Sequence, residues 1–316
     1  MGRYITRRLA LLLPVLIGVS IVTFILIHLL PGNALDLLIG VDQRMTVEDK
    51  ARLRHEYGFD APLPVQYLKW ADHVVHGDLG KSLRSGRSIT EELRLRMPVT
   101  FELTLLAAIF GGIPAILFGM VAAVKRNSWM DHAATLVTLI GVSLPNFWLA
   151  TLLVLIFSLK LHWLPPIQYV TFSESVGENL KHMILPAIAL GAPLAAVVMR
   201  QTRSAMLEVL GQEHVRVARA KGLREALVLN RHVLRNALIP IVTVFGIQIA
   251  RLLGGVFIIE QIFALPGIGR LTLDAIQNRD YAIVQGVTLV LAVVFVVISL
   301  IVDVLYAVID PRIRVS

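Results

Sequence analysis

Six apolar runs, each near the length needed to cross a lipid bilayer, divide this 316-residue chain. A helical crossing takes about 20 predominantly apolar residues. Leu9–Leu30 carries no formal charge and directly follows Arg3, Arg7 and Arg8. Leu103–Val124 is entered through Glu102, and Ala133–Leu159 contains Pro145. Met183–Met199 is shorter and holds Pro186 and Pro193. The fifth run is interrupted: Ala237–Ala250 is uncharged, Arg251 intervenes, and Leu252–Ile259 continues. Ala282–Val302 is unbroken and ends at Asp303. Composition agrees, with 56% hydrophobic and 16% charged residues, against about 45–50% and 25% in soluble domains. The expected fold is an all-α integral membrane protein with six transmembrane helices.

The first run exceeds the apolar core of a secretory signal, and Leu29-Leu30-Pro31-Gly32 makes a poor cleavage site, so it reads as a retained helix. Met1-Gly2-Arg3-Tyr4-Ile5-Thr6 fits a loose myristoylation pattern, but a lipid adds little beside a spanning helix. Basic residues of short loops set orientation. With a cytoplasmic N-terminus, the inside segments hold Arg3, Arg7, Arg8, Lys125 and Arg126. They also hold the basic residues between Arg200 and Arg235, and finally Arg312 and Arg314. The two short outside loops hold only Lys160, Lys181, Arg270 and Arg279. Both termini are therefore expected inside. The net charge of +8 lies between uncharged runs and forms no continuous basic face, which argues against nucleic acid. The absence of cysteine excludes disulfides, a thiol nucleophile and cysteine-ligated metal.

Residues 31–98 form a long outside loop whose basic and acidic residues balance. Val47–Tyr57 reads as a charged helix and Val65–Val75 as a second, begun after Pro62 and Pro64. This is a small external cap, too short for an independent enzyme domain. Gly80-Lys81-Ser82 ends like a phosphate-binding loop, but Val75 stands where the motif needs glycine, so it reads as a turn. His73 and His76 share a helical face yet lack further ligands, and read as surface histidines. Gly141-Val142-Ser143 lacks the closing glycine of a nucleophile elbow, which is Pro145 here. Pro145 reads instead as a helix kink. Glu102, Arg200, Glu260 and Asp303 fall near span ends, where their side chains reach the interface. Arg251, mid-helix, either lines an aqueous path or marks the end of a short helix. No catalytic or metal site emerges.

The inside loop at 208–238 is long for a connector and such loops usually have a task. Glu213–Lys221 favours a short helix, and Gly222 supplies a break. Leu223, Leu227 and Leu234 then fall on one face of a following helix, with Arg224, Arg231 and Arg235 outside it. Such a basic amphipathic helix either lies on anionic lipid or docks a cytoplasmic partner.

The stretch Glu213-His214-Val215-Arg216-Val217-Ala218-Arg219-Ala220-Lys221-Gly222-Leu223 resembles the coupling loop in membrane subunits of bacterial ABC importers, in the dipeptide/oligopeptide/nickel permease branch. The segment His232–Pro240 continues as that branch does. The general importer pattern has Glu-Ala-Ala and a later glycine. Here the three positions are Arg216, Val217 and Ala218, so only Ala218 and Gly222 match, a departure typical of the peptide branch. Gly77–Leu83, Glu260–Leu271, Asn278–Tyr281 and Asp310–Arg314 resemble that branch's outer-loop and C-terminal signatures.

The resemblance implies a type I ABC importer permease fold, one domain over 1–316, placed multi-pass in a bacterial cytoplasmic (inner) membrane. It implies alternating access, driven by two cytoplasmic ATP-binding subunits that hold the ATP and Mg while this chain binds no cofactor and is no enzyme. The other partners implied are a second, homologous permease forming a heterodimer, an extracytoplasmic solute-binding protein, and membrane lipid. Glu213, Arg216, Ala218, Arg219, Lys221, Gly222 and Leu223 would couple to the ATPases, and Gln248 and Arg251 are candidate path residues. Di- or oligopeptides are the implied substrates, though relatives carry glutathione, nickel chelates or sugars. The competing class is a stand-alone ion- or proton-coupled carrier, which would need intramembrane carboxylates facing a pore.

Overall fold

The structure, a computed structural model, describes residues 2–29, 61–82, 84–165 and 168–309. These form helices and connecting turns, with a single isolated bridge between Lys81 and Ser88. The main helices are α1 (Gly2–Leu29), α2 (Leu63–Val75), α3 (Ile89–Val124), α4 (Trp129–Ser143) and α5 (Asn146–Leu153). After α5 come a π turn (Val154–Lys160), α6 (Val176–Leu210) and α7 (Glu213–Ala220). One helical turn (Glu225–Leu227) and a second π turn (Val228–Leu234) lead into α8 (Arg235–Ile262), α9 (Ile268–Gln277) and α10 (Tyr281–Ile309). The predicted helix at Val47–Tyr57 lies outside the described residues; the one expected at Val65–Val75 is α2.

Among the described residues, four helices are long and apolar enough to cross a membrane: α3, α6, the run Glu225–Ile262, and α10 over Tyr281–Val302. In α1, Leu11–Ile25 forms a shorter apolar stretch. The third sequence run is not a kinked helix but a break: α4 and the α5–π-turn segment meet at 106°. Proline disfavours helical geometry in the residue before it. Leu144 accordingly takes the extended conformation, φ −82° and ψ 127°, and α5 restarts on the Pro145 carbonyl.

Two sequence expectations fail in the opposite direction. The short proline-bearing fourth run is the centre of α6, which continues for 35 residues through Pro186 and Pro193. Packing by neighbouring helices tolerates prolines inside membrane helices. Arg251 does not interrupt α8 either, because an exposed arginine satisfies its own backbone ladder and keeps its head group outside.

The chain groups into two compact units. In the first, built on Val99–Pro266, Leu103, Met183, Leu190, Leu194, Val256 and Ile259 form the core. Helices α3 and α6 meet there backbone to backbone. A Cβ on Gly111 would lie 2.6 Å from the Gly191 carbonyl oxygen, and one on Gly191 equally close to that of Ala107. Such small-residue crossings are the common way for membrane helices to associate. In the second unit, Thr6–Pro98 with Gly267–Val296, Ile89, Leu93, Ile268, Leu271, Ile283 and Val287 pack together. There α2 rests on α1 through Phe24, Tyr67 and Trp70, with ring centroids 5.5–6.1 Å apart.

Candidate functional site

The loop 208–238 is built around α7. Its eight residues place Val215 and Ala218 three apart on one face, and both are buried. Glu213, Arg216, Val217 and Arg219 are exposed, as is Lys221 just beyond. The acidic residue sits in the first turn and Arg219 in the last, each complementing the helix dipole. The helix stops through a Schellman arrangement. The Gly222 amide donates to the Arg219 carbonyl (2.9 Å) and the Leu223 amide to that of Ala218 (3.4 Å). Gly222 has φ +76°, a left-handed conformation that costs other L-residues about 1–2 kcal/mol. Past the turn, the Arg219 guanidinium grips the Glu225 carboxylate with two bonds of 2.6 and 3.1 Å. That hydrogen bonding holds the Arg219 pKa above its ordinary value.

The return limb departs from the predicted amphipathic helix. Leu223 and Leu227 are exposed and Leu234 only half-buried; Val228 and Val233 are the buried residues. The π turn spanning Val228–Leu234 hydrogen-bonds five residues apart, and the two buried valines have that spacing. A 3.6-residue period therefore selects the wrong face. The Asn236 amide donates to the His232 carbonyl (2.8 Å) and lies 3.3 Å from His214 Nε2, tying the return limb to α7.

Val215 and Ala218 share one apolar cluster with Ala123 of α3, Met206 and Val209 of α6, Val228 and Val233, and Ala237 and Ile241 of α8. The buried face of α7 thus touches three long helices at once. Ala218, grouped by sequence with the contacting residues, belongs to this buried anchor; the remaining candidates face outward or form the turn. Beside the cluster, Asp131 of α4 receives Arg203 of α6 through bonds of 2.5 and 2.8 Å, plus the Asn127 amide at 3.0 Å. Asp131 is 2% exposed. Sequence reasoning missed this pair; the only local signal was an acidic residue three positions after the N-cap Ser128.

On α8, Arg251 donates to the Gln248 side-chain oxygen at 3.3 Å, with Gln248 buried and Arg251 exposed. Glu260 corrects the sequence reading outright. It does not reach an interface but is fully buried, accepting the Thr100 hydroxyl at 2.6 Å. Gly80-Lys81-Ser82 is not itself the turn: Lys81 pairs with Ser88 in the bridge, and the chain reverses beyond Ser82, whose carbonyl accepts the Gly86 amide at 3.0 Å. The Ser82 hydroxyl donates to Asp280 (2.5 Å) and the Arg84 guanidinium to Asn278 (2.7 Å). Two segments picked out separately in the sequence are thereby joined. His73 and His76 are exposed; His73 lies 3.7 Å from the Asp78 carboxylate, and His76 Nδ1 lies 2.8 Å from the Asp72 carbonyl. No group of three metal-ligating side chains occurs among the described residues.

Residues 115–315 match the family described as the binding-protein-dependent transport system inner membrane component, and residues 1–104 match its N-terminal companion. The chain belongs to this family. As an inner-membrane component of such a transport system, it resembles named relatives over essentially its whole length. It is 44% identical to a dipeptide transport system permease protein of Alkalihalophilus pseudofirmus, covering 98% of this chain and 99% of that one. It is 41% identical to the dipeptide transport system permease protein of Escherichia coli K12, covering 99% of each. With an oligopeptide transport system permease protein of Bacillus subtilis the identity is 38%, over 99% and 100%. The permease also shares its fold with a chain of the MetNI methionine ABC transporter in inward-facing conformations, at TM-score 0.55 and 16% identity over 69% of this chain and 96% of that one. A chain of an amino acid ABC transporter gives 0.52 and 16%, over 69% and 94%.

Proposed function

We propose that this permease forms half of the translocation path of an ATP-driven importer of di- or oligopeptides. The names of its full-length relatives support that substrate class. In this reading the chain crosses the membrane six times with both termini in the cytoplasm. A second, different permease completes the path, two cytoplasmic ATPases hold ATP and Mg, and an external binding protein delivers substrate near the 31–98 cap. The chain itself performs no catalysis and carries no cofactor. Gln248 and Arg251 contribute polar groups to the path.

The observation that carries the mechanism is the construction of α7. Its buried face is anchored to α3, α6 and α8, while Glu213, Arg216, Arg219, Lys221 and Leu223 remain exposed for an ATPase groove. A short helix stopped by a tight turn and braced by Arg219–Glu225 transmits a rigid-body displacement rather than absorbing it. Closure of the ATPases would then move three helices together.

The test is affinity purification of the tagged chain from its host in mild detergent, with Gly222 varied. An added Cβ at Gly222 meets nothing within 4 Å, so the strain is in the backbone and not in crowding. Gly222→Val should therefore lose most of the copurifying ATPase or most transport, whereas Gly222→Asn, which tolerates positive φ, should retain both. Wild-type chain recovered folded and without an ATPase would favour the stand-alone carrier. Equal behaviour of Val and Asn variants would remove Gly222 from the coupling mechanism.

A further inference from the structure

A groove of about 560 Å³ runs along α3, α4 and α6. Phe110, Phe118 and Val121 of α3 form one wall; Trp129, Ala133 and Val137 of α4 form the other. The floor is made of small residues, Gly111, Ala115 and Ala195, which leave the space that larger side chains would fill. From Phe110 to Val121 it extends about 16 Å at the helical rise of about 1.5 Å per residue. That is about half of a hydrocarbon core about 30 Å thick, the depth of one leaflet. Every lining residue is apolar and the length is that of one leaflet, which suits a hydrocarbon chain.

Charge gathers where Val121 and Trp129 line the groove. Lys125 continues the Val121 row of α3 by one turn, and Arg126 follows; both are exposed. Trp129, 73% exposed, stands at the same end, where amphipathic rings favour the headgroup level. The nearby Asp131 is buried and taken by Arg203, so it does not offset the lip. Basic lips on clefts between membrane helices favour anionic headgroups.

We propose that this groove binds one acyl chain of an anionic phospholipid, whose phosphate is held by Lys125 and Arg126. The proposal rests on residence in the membrane and on this groove alone, so it stands or falls separately from the coupling role of α7.

The test uses the intact detergent-purified complex, incubated with phosphatidylglycerol or with phosphatidylethanolamine and analysed by native mass spectrometry. The expected result is one phosphatidylglycerol retained per copy of this chain, at least fivefold over phosphatidylethanolamine. Ala133 is exposed, so Ala133→Phe fills the groove without entering the core and should cut that retention at least fivefold. The surface double variant Lys125→Gln/Arg126→Gln should abolish the preference for the anionic lipid. Equal retention of the two lipids by wild type, or unchanged retention by Ala133→Phe, would overturn the site. A benzophenone side chain at position 133 should crosslink to lipid; crosslinking to protein instead would assign the groove to a neighbouring chain.

Discussion

At the scale of single residues, Asp131 concentrates more structure than any charge visible in a hydropathy profile. Its carboxylate satisfies Arg203 and the Asn127 amide together, and it is almost wholly enclosed. Removing one partner of such a pair leaves the other charge uncompensated, a loss of about 3–5 kcal/mol in buried settings. Arg203 is partly exposed, which puts the expected loss at the lower end. Asp131→Ala should therefore lower the thermal midpoint of the purified chain clearly. The swap Asp131→Arg/Arg203→Asp should recover only part of it, because a cation in the first turn of α4 opposes the helix dipole. An unchanged midpoint in Asp131→Ala would show that the pair contributes nothing to stability. Asp131 and Glu260 were illegible in the sequence for one physical reason. Their partners lie 72 and 160 residues away, and a partner at that distance leaves no periodic trace. Gly222 was legible because a left-handed turn after a short helix is written locally.

At the scale of elements, a hydrophobic pattern locates helices well and describes their interruptions poorly. The centres of the apolar runs fall inside helices, but Pro145 produces a 106° break where a kink is expected, while Pro186 and Pro193 produce none. Proline sets the local cost, and neighbouring helices decide whether the chain bends. The π turn at Val228–Leu234 is a sharper case, because it shifts the buried face away from the leucines that a regular helix would bury. Deleting the exposed Asn230 would convert the turn toward α-helical geometry and rotate α7 relative to α8 by about 100°. The deletion should leave the chain in the membrane but abolish ATPase copurification and transport, whereas Asn230→Ala should preserve both. A deletion variant with normal transport would show that the π geometry has no part in placing α7.

At the scale of the first compact unit, geometry and charge both bear on the proposed orientation. The Tyr169 hydroxyl, in the loop after the first π turn, donates to Glu102 of α3, just past Val99 where this unit begins (3.1 Å), and burial raises the tyrosine's pKa to about 12. Ala123, near the other end, joins the α7 cluster. Glu102 and Ala123 are about 32 Å apart along a continuous helix, close to the hydrocarbon thickness of about 30 Å. One end of this unit therefore carries Lys125, Arg126 and the basic α7 loop, and the other carries the sparsely charged Leu161–Ser175 loop. Short-loop basic residues favour the cytoplasmic side, so this distribution supports the proposed orientation, in which α7 faces the ATPases. The chain has no cysteine, so each introduced one is a unique label. On intact spheroplasts, a membrane-impermeant maleimide should label Ser173→Cys at once. Arg126→Cys and Arg216→Cys should react only after the membrane is opened. The reverse pattern would invert the orientation and put α7 out of reach of any cytoplasmic ATPase, ending the coupling mechanism while leaving the lipid groove untouched.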